Sequence, residues 1–130
     1  MKVIAVDYGS ARTGVAVSDA TGTIARPLGV VERAGGEAGL NRLVELIRAE
    51  EAERVVVGLP LTLRGERGAQ AQETETFVEA LRAAVDVPVE SFDERFTTRL
   101  AQTDDPGPDD ARAAAHLLSS YLEWSSAGRE

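Results

Sequence analysis

The chain of 130 residues is 43% hydrophobic and 28% charged, a balance typical of one globular domain rather than a disordered segment. Its 22 acidic and 14 basic residues give a formal net charge of −8, which excludes a generally basic nucleic-acid coat. Because cysteine is absent, disulfides, thiolate nucleophiles and zinc–thiolate sites are excluded as well. The apolar run at the start covers only Val3–Val6, too short for a signal peptide or a membrane span, so we expect a cytoplasmic protein without membrane contact.

The first third of the chain predicts a three-stranded antiparallel meander. Val3–Val6 is a continuous apolar run, typical of a central strand that is buried on both faces. A turn over Asp7–Gly14, with glycines available for positive φ, leads to a second strand at Val15–Asp19. The third strand covers Ile24–Val31, and Pro27 within it indicates an edge strand, where a missing N–H costs little.

The remainder of the chain alternates helices and strands. The predicted elements are a helix with its apolar positions between Leu40 and Ile47, a strand over Arg54–Gly58, a helix over Ala69–Val85, a strand over Val87–Phe92, a short helix after Thr97 or Thr98, and a final helix from Asp109–Asp110 to Glu123 or Trp124. The right-handed crossover rule makes the first, fourth and fifth strands parallel neighbours. We therefore predict an α/β fold with a five-stranded mixed sheet, three antiparallel strands and then two parallel ones, flanked by helices. A single domain over residues 1–124 is followed by a tail over 125–130.

Acidic side chains follow the ends of the predicted parallel strands. Asp7 ends the first strand, and Asp93 and Glu94 follow the fifth. Because ligands of open α/β sheets bind beyond the carboxyl ends of parallel strands, we expect these carboxylates to converge at one edge. Their mutual repulsion requires protonation, basic partners or cations, and oxygen ligands suit Mg²⁺ or Mn²⁺. Two such cations ~3.5–4 Å apart can promote an in-line phosphodiester displacement.

Each acidic candidate also has a plainer use. Asp7 could make only a turn hydrogen bond at the end of its strand. Asp110, or the residue before it, could reach the same cations or simply cap the last helix. Asp93 and Glu94 face opposite ways on an extended strand, and the longer reach favours Glu94 as the ligand. Asp93 could instead orient the arginine that follows or cap the next turn.

Arginines near this edge are candidates for phosphate binding. Arg12 lies beside Asp7 in a glycine-flanked loop, and its planar fork suits a phosphate as well as a surface salt bridge. Four other arginines could form a positive rim around the acidic centre or pair with nearby glutamates: Arg64, Arg67, Arg95 and Arg99. Turn geometry explains Gly9 and Gly14, with phosphate binding as the alternative.

Four stretches, in order and over nearly the whole chain, resemble the signature motifs of the YqgF (RuvX) family, the RNase H-like relatives of the Holliday-junction resolvase RuvC. These stretches are Asp7–Asp19, Val56–Leu61 with Gly65 and Gly68–Ala71, Phe92–Thr98, and Asp110–Ala114 leading to Leu118–Glu123. The resemblance implies an RNase H-like fold and a metal-dependent nuclease. Members of the family are associated with maturation of the 5′ end of pre-16S rRNA and were earlier proposed to resolve Holliday junctions.

Matched residue by residue, the resemblance implies a site at the acidic edge. Asp7, Glu94 and Asp110 would hold Mg²⁺ or Mn²⁺, and these three, with Asp93 beside them, would be catalytic. The residues that we assign to the substrate are Arg12, Arg95 and Gly9. Only eleven residues separate Thr98 from Asp110, where the family usually has a longer and often basic helical stretch, so we expect a smaller surface for nucleic acid.

The function that we predict is two-metal hydrolysis of phosphodiester bonds in precursor rRNA. A DNA resolvase of the Holliday-junction type is an alternative with the same chemistry. The Asp-x-Gly motif is also similar to the phosphate loop of the actin and sugar-kinase fold, which would make the protein a phosphotransferase. The acidic balance and the short, proline-bearing stretch before Asp110 leave a non-catalytic binding module or ribosome-assembly factor as a further alternative. The expected partner is nucleic acid, pre-rRNA ahead of structured DNA. Three residues of the last helix either pack it or form a homodimer patch: Tyr121, Leu122 and Trp124.

Overall fold

Five strands and three helices occupy the part of the chain that the computed structural model describes, residues 1–59, 68–93 and 110–126. In chain order they are β1 (Val3–Asp7), β2 (Arg12–Ser18), β3 (Ala25–Glu32), α1 (Glu37–Ala49), β4 (Arg54–Leu59), α2 (Ala69–Ala84), β5 (Val89–Asp93) and α3 (Asp110–Ser126). The short helix predicted after Thr97 or Thr98 lies outside the described residues. None of the described helices has the length and apolar character needed to cross a membrane.

The sheet has the predicted topology, with strand order β3-β2-β1-β4-β5. β1, β2 and β3 pair antiparallel, whereas β1, β4 and β5 are parallel neighbours, so the predicted five-stranded mixed sheet is confirmed. β3 is an edge strand, as Pro27 predicted, and the pairing of β2 with β3 shifts register next to that proline.

The boundary of the second strand differs from the prediction. The turn was expected to extend through Gly14, but β2 already begins at Arg12, and residues 8–11 alone connect it to β1. Gly14 pairs with Asp7 on one side and with Val30 on the other. Two neighbouring strands therefore hold the backbone of Gly14 extended, and its lack of a side chain serves packing rather than a turn.

Two apolar layers, one on each face of the sheet, form the core. On the α1/α2 face, alternate strand residues pack against apolar residues at helical spacing: Ile4, Val6, Val15, Val17, Val55 and Val57 against Leu43, Val44, Ile47, Phe77, Val78 and Leu81. On the α3 face, the intervening strand residues pack against α3: Val3, Ala5, Ala16, Val56 and Phe92 against Ala114, Leu117, Leu118 and Tyr121. Because both faces are covered, the central strands are continuous apolar runs in the sequence.

The second half of α3 is fixed by a polar triad and an aromatic cluster. Arg54 Nη1 donates a hydrogen bond of 3.0 Å to the Tyr121 hydroxyl, which donates one of 3.0 Å to Glu90 Oε2. The Tyr121 hydroxyl, with Glu90, raises the pKa of Arg54. Trp124 contacts the rings of Phe92 and Tyr121 with centroids 5.5 and 5.9 Å away. Packing is thus confirmed for the buried Tyr121, whereas a homodimer patch at the exposed Trp124 stays a prediction.

The turn between β2 and β3 is organised by the carboxylate of Asp19. It accepts hydrogen bonds from the Thr21 hydroxyl at 2.6 Å and from the backbone N–H groups of Thr23 at 2.8 Å and Ile24 at 3.0 Å. These donors, the Thr21 hydroxyl first, lower the pKa of Asp19 to about 2. The charged form of Asp19 therefore contributes to the stability of this hairpin.

Replacing Asp19 with Asn should make the free energy of unfolding depend less steeply on pH in the acidic range. Because the pKa of Asp19 is about 2 in the fold and 3.8 ordinarily, the unfolded chain binds the proton first as the pH falls. The contribution of Asp19 to the free energy of unfolding is thus complete above the ordinary pKa and is lost as the pH falls through the lower one. Urea unfolding between about pH 5 and pH 2 should show a steeper loss of stability for wild type than for Asp19→Asn. The exposed-site control Asp86→Asn should keep the wild-type slope, and three equal slopes would contradict the assignment.

Candidate active site

Three parallel strands end together at one edge of the sheet. β1 ends at Asp7, β4 at Leu59 and β5 at Asp93. The register pairs Val6 with Val57 and Leu59 with Asp93, so the strand ends are nearly level. The predicted convergence of Asp7 with the ends of the fourth and fifth strands is confirmed. This edge is where open α/β sheets bind their ligands.

The two described acids at this edge lie on opposite faces. Asp7 alternates with Val3 and Ala5, which pack under α3, so its side chain belongs to the α3 face. Asp93 follows Phe92, which also packs under α3, and therefore belongs to the α1/α2 face. The structure thus brings Asp93 to the same edge as Asp7 but not to the same side. Glu94 lies outside the described residues.

Gly14 brings the start of α3 onto the end of β1. In the pairing of β1 with β2, Gly14 lies directly opposite Asp7. A Cβ on Gly14 would lie 1.8 Å from the carbonyl oxygen of Asp110, so the helix backbone occupies the space that a side chain would need. Directly opposed residues of antiparallel strands have Cα atoms about 4.5–5.5 Å apart and point to the same face. Asp7 and Asp110 are therefore neighbours on the α3 face.

Small side chains continue this close contact along the helix. Ala5 pairs with Ala16 in the sheet, and both side chains are fully buried beneath α3. The helix contributes Ala111 and Ala114 to its buried side. Because alanine and glycine have small side chains or none, the backbone of α3 lies close to the backbones of β1 and β2. The position of Asp110 relative to Asp7 is therefore set by this close packing rather than by long, adaptable side chains.

Asp110 forms an ion pair with Arg12 across the same edge. Arg12 Nε lies 3.1 Å from Asp110 Oδ2, with the side chain of Arg12 49% exposed and that of Asp110 26% exposed. Arg12 is two residues before Gly14 in β2 and so shares its face. Asp110 lies in the first turn of α3, where a negative charge is also favourable to the helix dipole. Of the two predicted uses of Arg12, the salt bridge is therefore present, and contact with phosphate stays a prediction.

The loop between Asp7 and Arg12 is closed by its own hydrogen bonds. The N–H of Gly9 donates a hydrogen bond of 3.3 Å to Thr13 Oγ1. The Thr13 hydroxyl in turn donates one of 3.3 Å to the carbonyl oxygen of Gly9. A Cβ on Gly9 would lie 2.4 Å from the carbonyl oxygen of Arg12, so glycine is required for this tight approach. The geometry of this loop explains why residue 9 is a glycine, and the contact of Gly9 with substrate stays a prediction.

Tyr8 supports the strand end next to Asp7, a role that sequence reasoning missed. Its ring stacks on Phe77 of α2 with centroids 4.4 Å apart, and its hydroxyl donates to Glu73 Oε2 at 3.4 Å. Burial, together with the Glu73 carboxylate, raises the pKa of Tyr8. Gly35 leaves room for this ring, because a Cβ there would lie 2.7 Å from the Tyr8 hydroxyl. An aromatic residue directly after a buried strand was the available signal.

The described part of the site fits a hard divalent cation in its donor chemistry. Asp7 and Asp110 supply carboxylate oxygens from one face, and such oxygens suit Mg²⁺ and Mn²⁺. Across residues 1–59, 68–93 and 110–126, no three acidic or histidine side chains gather as a metal cluster. Two further candidates, Glu94 and Arg95, lie outside these ranges.

Comparison with known proteins gives consistent matches. A family model named RuvX and described as a Holliday junction resolvase matches residues 1–124. A protein of Chloroflexus aurantiacus named "Putative pre-16S rRNA nuclease" is 45% identical over 100 residues, which are 77% of this chain and 65% of that protein. The matched part thus spans less than two thirds of that relative. A protein of Desulforudis audaxviator with the same name is 40% identical over 99% of both chains.

A solved structure shows the same fold. T. thermophilus RuvC in complex with a Holliday junction substrate superimposes with a TM-score of 0.66, covering 98% of this chain and 96% of that one. Its sequence identity is 19%, so the likeness concerns the fold. The predicted RNase H-like fold is confirmed by this likeness.

A side chain at position 14 should disturb the site, whereas one at position 29 should not. In Gly14→Ala the new Cβ meets the backbone of Asp110, and α3 must shift by more than an ångström to restore ordinary contact. We expect a loss of about 1–3 kcal/mol in the free energy of unfolding, as for other overpacked cores. Gly29→Ala is the matched control, since nothing lies within 4 Å of its Cβ.

Two measurements check the effect of Gly14→Ala. Urea unfolding gives the change in stability. The NMR resonance of the Arg12 Nε–H group reports the ion pair with Asp110 and should move in Gly14→Ala but not in Gly29→Ala. If Gly14→Ala behaved like its control in both measurements, the close approach of α3 would not set this geometry.

Proposed function

The chain belongs to the RuvX family, and we propose that it is a nuclease that hydrolyses phosphodiester bonds with Mg²⁺ or Mn²⁺. The substrate that we propose is precursor 16S rRNA, following the names of its relatives, and the cleavage that we propose is near its 5′ end, as the family resemblance implies. The observation that supports this most directly is the meeting of Asp7 and Asp110 on one face, beyond the carboxyl ends of parallel strands. We further propose that residues 1–124 form a single nuclease domain and that the protein acts in the cytoplasm.

We assign the metal to Asp7, Asp110 and Glu94. The first two are neighbours on the α3 face. We prefer Glu94 to Asp93 as the third ligand because the side chain of Asp93 belongs to the α1/α2 face, away from Asp7 and Asp110, and because a glutamate has the longer reach. Three carboxylates at one point repel one another, so the site favours positive charge and gains most from a divalent cation.

The chemistry follows from the charges at the site. A pair of cations held by these carboxylates is the arrangement that we propose, and it would supply positive charge to the attacking water and to the departing 3′ oxygen. Asp7 and Asp110 fix the position of that charge relative to the sheet. Arg12 and Arg95 are proposed to contact the phosphate, since a guanidinium fork matches phosphate oxygens, and Gly9 to lie beside it. Binding is expected to be local, because the chain as a whole carries a net charge of −8.

Removal of one carboxylate should abolish turnover and preserve the fold. We expect Asp7→Asn to lower the cleavage rate of precursor 16S rRNA in Mn²⁺ by at least about a hundredfold, because the cation loses a ligand. Its free energy of unfolding should be unchanged or higher, because a like-charge repulsion is relieved. Asp86→Asn, an exposed residue outside the site, is the matched control and should cleave like wild type. Full Mn²⁺-dependent cleavage by Asp7→Asn would refute the proposed site.

A DNA resolvase is the second candidate, and the family model that matches residues 1–124, described as a Holliday junction resolvase, favours it. A cleavage assay distinguishes the two candidate functions. The same protein preparation, with Mn²⁺, is given either precursor 16S rRNA or a synthetic four-way DNA junction. Cleavage of the RNA supports the first proposal, and cleavage of the junction alone supports the second. Binding of Mn²⁺ without cleavage of either would indicate a non-catalytic assembly factor.

A further inference from the structure

We propose that Arg12 exchanges between two anions, the carboxylate of Asp110 in the free protein and a backbone phosphate of nucleic acid in the complex. The inference rests on the proposed function and adds the order in which Arg12 makes its two contacts. Arg12 first positions Asp110 and then holds substrate, and the entry of a divalent cation at Asp110 favours the change from one to the other.

The ion pair has the properties of an exchangeable contact. It joins Arg12 Nε to Asp110 Oδ2 at 3.1 Å, and a guanidinium carries five N–H donors, so a contact with one carboxylate oxygen leaves donors for another anion. The Arg12 side chain is 49% exposed, and pairs in such surroundings are weak because water screens them. Nothing in this geometry requires the pair to persist once a stronger partner arrives at either group.

The position of Arg12 suits both partners. It is the first residue of β2 and shares the α3 face with Gly14, which lies opposite Asp7. A phosphate placed against the Asp7–Asp110 pair is therefore within reach of the long Arg12 side chain. A planar fork recognises phosphate oxygens as well as it recognises a carboxylate.

The charges couple the two events. In the free protein, the guanidinium compensates Asp110 beside Asp7, where two carboxylates would otherwise repel each other. A divalent cation at the same carboxylates competes with that guanidinium. A cation held by Asp110 would take the place of the guanidinium, and the N–H donors of Arg12 would then be available to a phosphate. Cation binding and substrate binding should thus strengthen each other, as linkage requires.

Mn²⁺ titration without nucleic acid tests the competition. We expect Arg12→Gln to bind Mn²⁺ about twofold to fivefold more tightly than wild type, measured by electron paramagnetic resonance of free Mn²⁺, because a weak competing ion pair is gone. Arg12→Lys keeps the charge and should bind like wild type. Arg82→Gln, which removes an arginine paired with Glu79 on α2, is the matched control and should also bind like wild type.

Nucleic-acid binding tests the second contact. The probes are a short fluorescein-labelled single-stranded RNA and a labelled four-way DNA junction, titrated by anisotropy in Ca²⁺. Arg12→Gln should bind the relevant probe at least about fivefold more weakly, and Arg12→Lys should lie between it and wild type. Weakening on the RNA identifies RNA as the source of the phosphate, and weakening on the junction alone identifies DNA.

The outcomes separate this inference from the proposed function. An Arg12→Gln protein that is folded by circular dichroism but binds Mn²⁺ no more tightly than wild type would overturn the exchange, since Arg12 would then only support Asp110. Unchanged binding of both probes would overturn it as well. Wild-type protein that binds no Mn²⁺ would overturn the proposed metal site itself.

Discussion

The backbone of Asp110 lies where a side chain of residue 14 would be, and the geometry of the candidate site depends on this close approach. A Cβ on Gly14 would come within 1.8 Å of the Asp110 carbonyl oxygen. Gly14 is also the residue that faces Asp7 in the sheet. The absence of a side chain at residue 14 therefore brings the end of the first strand and the start of the last helix together, although 102 residues (8–109) lie between Asp7 and Asp110 in the sequence.

Rigid packing at this contact gives the acids a fixed separation. The stripe of Ala5 and Ala16 beneath α3 has no side chains that could adapt to a shift of the helix. At the other end, the triad of Arg54, Tyr121 and Glu90 fixes the same helix to β4 and β5. A helix held at both ends can keep two like charges close together, a situation that costs electrostatic energy unless a cation compensates it.

Arg12 shows how that cost is met in the free protein. Its guanidinium lies 3.1 Å from Asp110 and supplies local positive charge on a chain with a net charge of −8. The same residue had two interpretations in the sequence, a surface salt bridge and a phosphate contact. The structure supplies the first, and the half-exposed position of Arg12 leaves the second compatible with it. Arg12 can therefore compensate the charge of Asp110 in the free protein and still be available to a bound phosphate.

The amino-acid sequence by itself determined the sheet and the edge at which its acids meet. Apolar runs, the proline in β3 and the handedness of crossovers are local or general constraints, and they were sufficient for the strand order. Two features were decided only by the tertiary structure. The sequence predicts a turn at Gly14, because a glycine in a sequence does not reveal which backbone packs against it, and only the position of α3 in the structure does. The faces of Asp7 and Asp93 likewise depend on which neighbours lie under α3, because alternation along a strand fixes relative but not absolute orientation.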